Sequence, residues 1–262
     1  MFRPPTPLVK NLLIINIAIF FLGDLLGWDL NSQFGLYYIL SDQFQPYQFV
    51  TYMFLHGDIG HLINNMLILF FVGPMLEGFL GPKKFMTLYL VTALGGGFLY
   101  MGANYLEIGN LRGDVRSYVS NPNPDDFNRL VDKHYSLNDR NVSNFIDQYS
   151  RDENNPELRD QSVSFAYQIR DLVGNFNMVG ASGAMFGILA MLMILFPNTE
   201  MLLFFTFPIK IKYLVGALIF YEIYAEFQRV PGDNVAHLAH LGGALFAWLL
   251  YKYWQKDRKS FY

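Results

Sequence analysis

Six apolar stretches, at about 9–27, 60–80, 84–105, 176–196, 211–227 and 234–254, limit most what this chain can fold into. Each is close to the roughly 20 residues that a helix needs to cross a bilayer core. Hydrocarbon offers no water to a bare peptide group, so a crossing segment must satisfy its own backbone, and uninterrupted runs of this length do so as helices. The sequence therefore predicts an all-α polytopic membrane protein with six transmembrane helices. Composition points the same way. Hydrophobic residues make up 52% of the 262 and charged residues only 16%, whereas an average soluble domain carries about 25% charged residues. Mean hydropathy is only +0.20, so the polar residues must be gathered in one place.

That place is 106–175, which holds 12 of the 22 acidic and 8 of the 19 basic residues. Phe127, Leu130, Val131, Tyr135, Phe145, Ile146, Tyr149, Phe165, Tyr167 and Ile169 punctuate it at partly helical spacing, which predicts a small helical insert between the third and fourth spans. Three regions follow. Residues 1–105 carry helices one to three with an outer loop at 28–58. Residues 106–175 form the extracytoplasmic insert, and 176–262 carry helices four to six and a basic tail. The loop at 28–58 is rich in aromatic rings (Trp28, Phe34, Tyr37, Tyr38, Phe44, Tyr47, Phe49, Tyr52). Such rings favour the membrane–water boundary, so it is expected as a partly embedded loop with short helices. A short apolar piece at 201–207 is expected to lie on the membrane surface. The N-terminal run has no small-residue cleavage site after it, which predicts a retained span and not a signal peptide.

Charge sets the expected orientation. Outside the insert, Arg3, Lys10, Lys83, Lys84, Lys210, Lys212, Lys252, Lys256, Arg258 and Lys259 fall on one side of six alternating spans, and only Arg229 on the other. The positive-inside rule then places both termini in the cytoplasm. A net charge of -3 gives no reason to expect nucleic acid, and the absence of cysteine excludes disulfides and thiolate metal sites.

Three motifs fall at the outward ends of their spans. Gly180-Ala181-Ser182-Gly183 opens the fourth, with Ser182 expected one to two turns below its start. Ala239-His240-x2-Gly243 lies early in the sixth, and His56-x4-His61-x3-Asn65 opens the second. A serine is a poor nucleophile without a neighbouring base, and His240 is the base candidate. Small residues at Gly183 and Gly187, and at Gly243 and Ala247, allow the two backbones to approach closely. His61 and Asn65 are four apart and share a helix face, where both can donate to a developing oxyanion. Gly180 leaves room for a substrate carbonyl. Phe186, one turn after Ser182, is placed to stack on His240. Since no acidic residue adjoins His240 in sequence, a dyad without an orienting carboxylate is expected.

Each feature has a plainer account when taken singly. Serine between small residues is common at membrane helix contacts, a buried histidine can bond a backbone carbonyl, and Asn65 can join two helices. His56 and His237 read as supporting polar groups and Glu77 as a structural anchor. Glu222 must face protein or water. Chance would have to place all the motifs at one membrane face.

Taken together, the motifs resemble those of the rhomboid family of intramembrane serine proteases. The resemblance covers the second to sixth spans and implies a six-helix rhomboid-like bundle whose Ser–His dyad opens outward and cuts transmembrane segments of membrane proteins. It makes Ser182 the nucleophile, His240 the general base, and His61, Asn65 and the Ser182 N–H the oxyanion site. It implies no cofactor and no metal, and the partners are transmembrane substrates and the bilayer. Phe186 stands where the family often has tyrosine, Glu77 matches an acidic position of the second span, and the Trp-Arg pair of many members is missing from the first outer loop. The insert is longer than the usual connection and adjoins Ser182. A bacterial inner membrane is the expected location. Two rivals stand beside this reading: a catalytically silent relative that binds membrane clients, and a metal-binding protein using His56, His61, His237 and His240.

Overall fold

A computed structural model describes residues 4–135, 139–203, 206–228 and 235–256. Helix α1 (Pro7–Leu26) starts on a proline, whose missing N–H is an orphan at that position anyway. It ends at Gly27, whose φ of +64° suits glycine at a helix terminus. The side chain of Thr6 does not cap this helix. The carboxylate of Glu77 does so instead, from helix α4: Oε2 accepts from the Thr6 hydroxyl and, at 3.0 Å, from the Val9 N–H.

The loop at 28–58 contains α2 (Leu30–Phe34), α3 (Gln48–Thr51) and a single 3₁₀ turn (Tyr52–Phe54). It is stitched to the segment entering the fourth apolar run. Leu36 and Met178 exchange both backbone hydrogen bonds, at 2.8 and 2.9 Å. The Gly180 N–H donates to the Tyr52 carbonyl at 2.9 Å, and Asn177 Nδ2 donates to the Asn31 carbonyl.

Helix α4 (Ile59–Leu80) begins at Asp58, whose side chain accepts from the His61 N–H at 2.9 Å. This bond holds the Asp58 carboxyl below the usual carboxylate range. After Gly81 the chain enters α5 (Pro82–Ser120), 39 residues without a break. The third run was expected to end near 105, and the helix instead carries its polar half straight into the insert. No proline interrupts it, and Ile108, Leu111, Val115 and Tyr118 are buried in that half. Helices α6 (Pro124–His134), α7 (Arg140–Arg151) and α8 (Pro156–Gly174) complete the insert. Each is capped by an Asn or Asp side chain, from Asn123, Asp139 and Asn155. Their apolar faces meet in a second core, centred on Phe127, Tyr149 and Ile169, separate from the main one.

Helix α9 (Ser182–Leu195) is shorter than the fourth apolar run, and Ser182 is its first residue, where one to two turns of helix had been expected before it. The described ends of the 201–207 piece belong to two paired antiparallel strands, β1 (Glu200–Leu203) and β2 (Phe207–Lys210), so the chain is not purely α-helical. The two strands pair Glu200 with Lys210 and Met201 with Ile209, which satisfies backbone groups that an irregular apolar segment would leave bare. Helices α10 (Ile211–Gln228) and α11 (His237–Lys256) follow. Residues 229–233 between the fifth and sixth apolar runs, Arg3 and the end of the basic tail lie outside the described residues.

The main core lies where α4, α5, α9 and α11 meet. Small residues make this contact possible: a Cβ on Gly96 would press on the Ala239 carbonyl, one on Gly187 on Thr92, and one on Gly243 on the Gly183 carbonyl. Large apolar side chains face outward as well. Leu25, Phe220 and Phe227 are 81%, 69% and 83% exposed, a surface suited to lipid rather than water. Among the described residues α1, α4 and α5 are long and apolar enough to cross a membrane, and α9 is apolar but shorter.

Candidate active site

The site is assembled around the start of α9. Ser182 is half-buried at the helix N-terminus, where first-turn amides lack intrahelical acceptors and the helix end favours negative charge. The turn before it depends on Gly180, whose φ is +133° and at which any Cβ would strike the His61 ring. The same hypothetical Cβ would sit 3.6 Å from Ser182 Oγ and 2.7 Å from His61 Nε2. Gly180 thus brings His61 and the serine hydroxyl to one small space. Its own N–H is already donated to Tyr52, so what Gly180 contributes here is space.

His61 is positioned by the first turn of α4. Its Nδ1 faces the Gly57 N–H at 3.5 Å, the outer limit of a hydrogen bond. An acceptor role for Nδ1 leaves Nε2 as the protonated donor, on the side of Gly180 and Ser182. One turn further, Asn65 is 96% buried and its Nδ2 has no partner among the described residues. A buried amide donor left unsatisfied costs about 1–3 kcal/mol, a cost that a bound oxyanion would relieve. The His56 ring packs edge-on against His61, with centroids 5.1 Å apart. Burial pushes His56 down to about 3, so it is a neutral prop.

His240 reaches the same place from α11. Its ring stacks on Phe186, with centroids 4.3 Å apart and an interplanar angle of 7°. The near-contact of Gly183 with Gly243 and Ala239 sets the two helices at this separation. No hydrogen bond joins Ser182 Oγ to His240 among the described residues; the two are related through the Phe186 stack and the glycine contact.

On its other side His240 meets a residue whose role the sequence leaves open. Glu222 of α10 is 5% exposed, and its Oε2 lies 2.6 Å from His237 Nδ1 and 2.9 Å from His240 Nδ1. The expectation that no carboxylate accompanies His240 is therefore corrected. Glu222 and His240 are 18 residues apart on different helices, and only the packing of α10 against α11 unites them. An acidic residue in the middle of an apolar run was the signal that could have found it. The approach to His240 is out of line for a ring N–H bond, and Nδ1 makes none, so the contact is an electrostatic one at close range.

Glu222, His237 and His240 form a set that could hold a metal ion among the described residues, each offering one donor atom within 4.8 Å of the others. It is a different set from the four histidines considered above, since it includes Glu222 and leaves out His56 and His61, whose rings pack edge-on against each other. Its oxygen stands at hydrogen-bonding distance from both imidazoles, an arrangement a carboxylate and two histidines adopt without an ion.

The family model of the Rhomboid domain matches residues 43–108 and 161–255, more than half of the chain. The unmatched interval, 109–160, lies within the insert. The chain is 34% identical over 98 residues to RHOMBOID-like protein 12, mitochondrial, of Arabidopsis thaliana, covering 36% of this chain and 28% of that protein. It is 31% identical over 121 residues to Rhomboid protease GlpG of Yersinia pestis and of Yersinia pseudotuberculosis, covering 42% of this chain and 40% of theirs. The alignments thus span well under half of these relatives. With more than half of its length matched by the family model, and with helices apolar enough to lie in a bilayer, the chain belongs to the rhomboid family of integral membrane proteins.

Proposed function

We propose that this protein is an intramembrane serine endopeptidase that hydrolyses peptide bonds in or near transmembrane segments of other membrane proteins. The observation that carries the proposal is the convergence at the start of α9: Ser182 beside His61 and Gly180, with His240 brought in on the Phe186 stack. Ser182 attacks the scissile carbonyl while His240 Nε2 takes the hydroxyl proton. His61 Nε2–H, Asn65 Nδ2 and the Ser182 N–H hold the oxyanion. His240 then returns the proton to the leaving amine, and the acyl-enzyme is cleared by water through the same base. Catalytic hydrogen bonds are often long before substrate binds, which accounts for an open Ser182–His240 pair.

The bundle is proposed to cross the membrane six times, with α9, α10 and α11 as the last three spans, both termini cytoplasmic, the site facing outward and a bacterial inner membrane as its location. The substrate must unwind locally, since a helical backbone hides its carbonyls.

The open Ser182–His240 pair is also what a silent, client-binding relative would show. Labelling by a fluorophosphonate probe separates the two. Wild-type protein is expected to label, while Ser182→Ala and His240→Ala are not, with melting midpoints unchanged. A folded wild type that fails to label favours the client-binding relative.

A further inference from the structure

We infer that Glu222 is the positioning residue for His240, so that the working unit is Ser182, His240 and Glu222 and not a dyad. This rests on the reading of His240 as the general base. Glu222 Oε2 stands 2.9 Å from Nδ1 of His240, on the ring nitrogen opposite the one that must face Ser182. A carboxylate there favours the tautomer with the proton on Nδ1 and leaves the Nε2 lone pair for the serine proton. When Nε2 accepts that proton the ring becomes positively charged, and the attraction to a carboxylate 2.9 Å away grows. The interaction is thus stronger in the transition state than before it, the condition under which a contact accelerates a reaction. Glu222 itself gives up and takes no proton in any step.

Three features hold the carboxylate for this task. Its oxygen is anchored by the Nδ1 of His237, at 2.6 Å. Both histidines lie in the first turn of α11, where the helix end favours negative charge. Phe186 covers the face of the His240 ring and restricts it to sliding within the stacking plane. The other titratable groups around the base are His237 on α11 and His61 on α4. A buried carboxylate within an apolar helix is costly unless it is paired, and both of its imidazole neighbours belong to the site.

The test uses the full chain in detergent and the second-order rate of fluorophosphonate labelling. Glu222→Gln keeps the shape and removes the charge, and is expected to slow labelling about 100-fold, within the usual range for general base catalysis. Glu222→Asp is expected to recover much of that loss, and both melting midpoints should stay near wild type. If Glu222→Gln labels at the wild-type rate while His240→Ala does not label, the proposal fails and the base reading survives. If wild type and His240→Ala label equally, both fail together. Should the Gln variant not fold, the wild type decides through ¹⁵N-histidine spectra, with the His240 resonances assigned from His240→Ala. The Nδ1–H tautomer of His240 supports the proposal, and the Nε2–H tautomer overturns it.

Discussion

Asn65 and Gly180 show how single residues shape this site in opposite ways. Asn65 offers a buried amide donor with no partner among the described residues, a feature hard to explain as packing, since packing alone would favour an apolar side chain there. Asn65→Ala is expected to lower kcat by about 10²–10³-fold, the usual cost of one oxyanion donor. KM should change little, because in the proposed mechanism the donor acts on the tetrahedral intermediate. Steady-state cleavage of a model transmembrane substrate by the two proteins reads the split, and a KM effect alone would mean that Asn65 binds substrate uniformly. Gly180 acts by absence. Its φ of +133° and its contact with His61 leave no space for a methyl group. Gly180→Ala is expected to displace the His61 ring and to add about 1–3 kcal/mol of backbone strain. Labelling should fall and the melting midpoint drop together, in contrast to Asn65→Ala.

Between elements, the decisive contact is the glycine seam of α9 and α11. Gly183 and Gly243 meet backbone to backbone, and every ångström of separation there moves His240 away from Ser182. Gly243→Ala is expected to destabilise the bundle by about 1–3 kcal/mol through overpacking. It should also reduce labelling far more than an equal destabilisation elsewhere would. Glu77→Ala supplies that comparison. It leaves the Val9 N–H and the Thr6 hydroxyl without their acceptor, at a cost of about 1–3 kcal/mol. Glu77 is 16 residues beyond His61 on α4, about 24 Å along the helix, so labelling should persist at temperatures below the lowered melting midpoint. Paired melting and labelling curves check both variants.

At the scale of the molecule, the described residues form two hydrophobic cores, one in the bundle and one in the insert, and α5 runs through both. The insert has its own electrostatic tie. Asp114 on α5 meets Lys133 Nζ at 2.7 Å and His134 Nε2 at 2.6 Å on α6. Partial burial works to raise the Asp114 carboxyl, but the bonds and charges of Lys133 and His134 outweigh it and hold it below its ordinary value of 3.8. A carboxyl lowered by folding stabilises the folded form above its unfolded value, and that contribution is lost as pH falls through the folded one. Acidification from pH 5 to below about 3.8 should therefore loosen the junction of α5 and α6. Hydrogen exchange of full-length protein should show faster exchange in 110–134, and Asp114→Asn should abolish this pH dependence. Unchanged exchange in wild type across that range would mean the tie contributes nothing.

The sequence by itself determined the apolar runs, the polar insert and the candidate residues His61, Asn65, Gly180, Ser182, Phe186 and His240. Hydropathy and short spacings are properties of neighbouring residues, and helices in hydrocarbon must follow them. Even the glycine seam was legible, because small residues four apart leave a face without side chains. Tertiary structure alone decided what depends on how remote helices pack. It set Glu222 against a histidine 18 residues away, spent the Gly180 N–H on Tyr52, paired 200–203 with 207–210 as two antiparallel strands, and carried α5 unbroken to Ser120. The rotation of one helix about its axis decides whether a lone carboxylate faces lipid or a neighbour's imidazole. That rotation is set by the sum of packing contacts across the bundle, which no local pattern encodes.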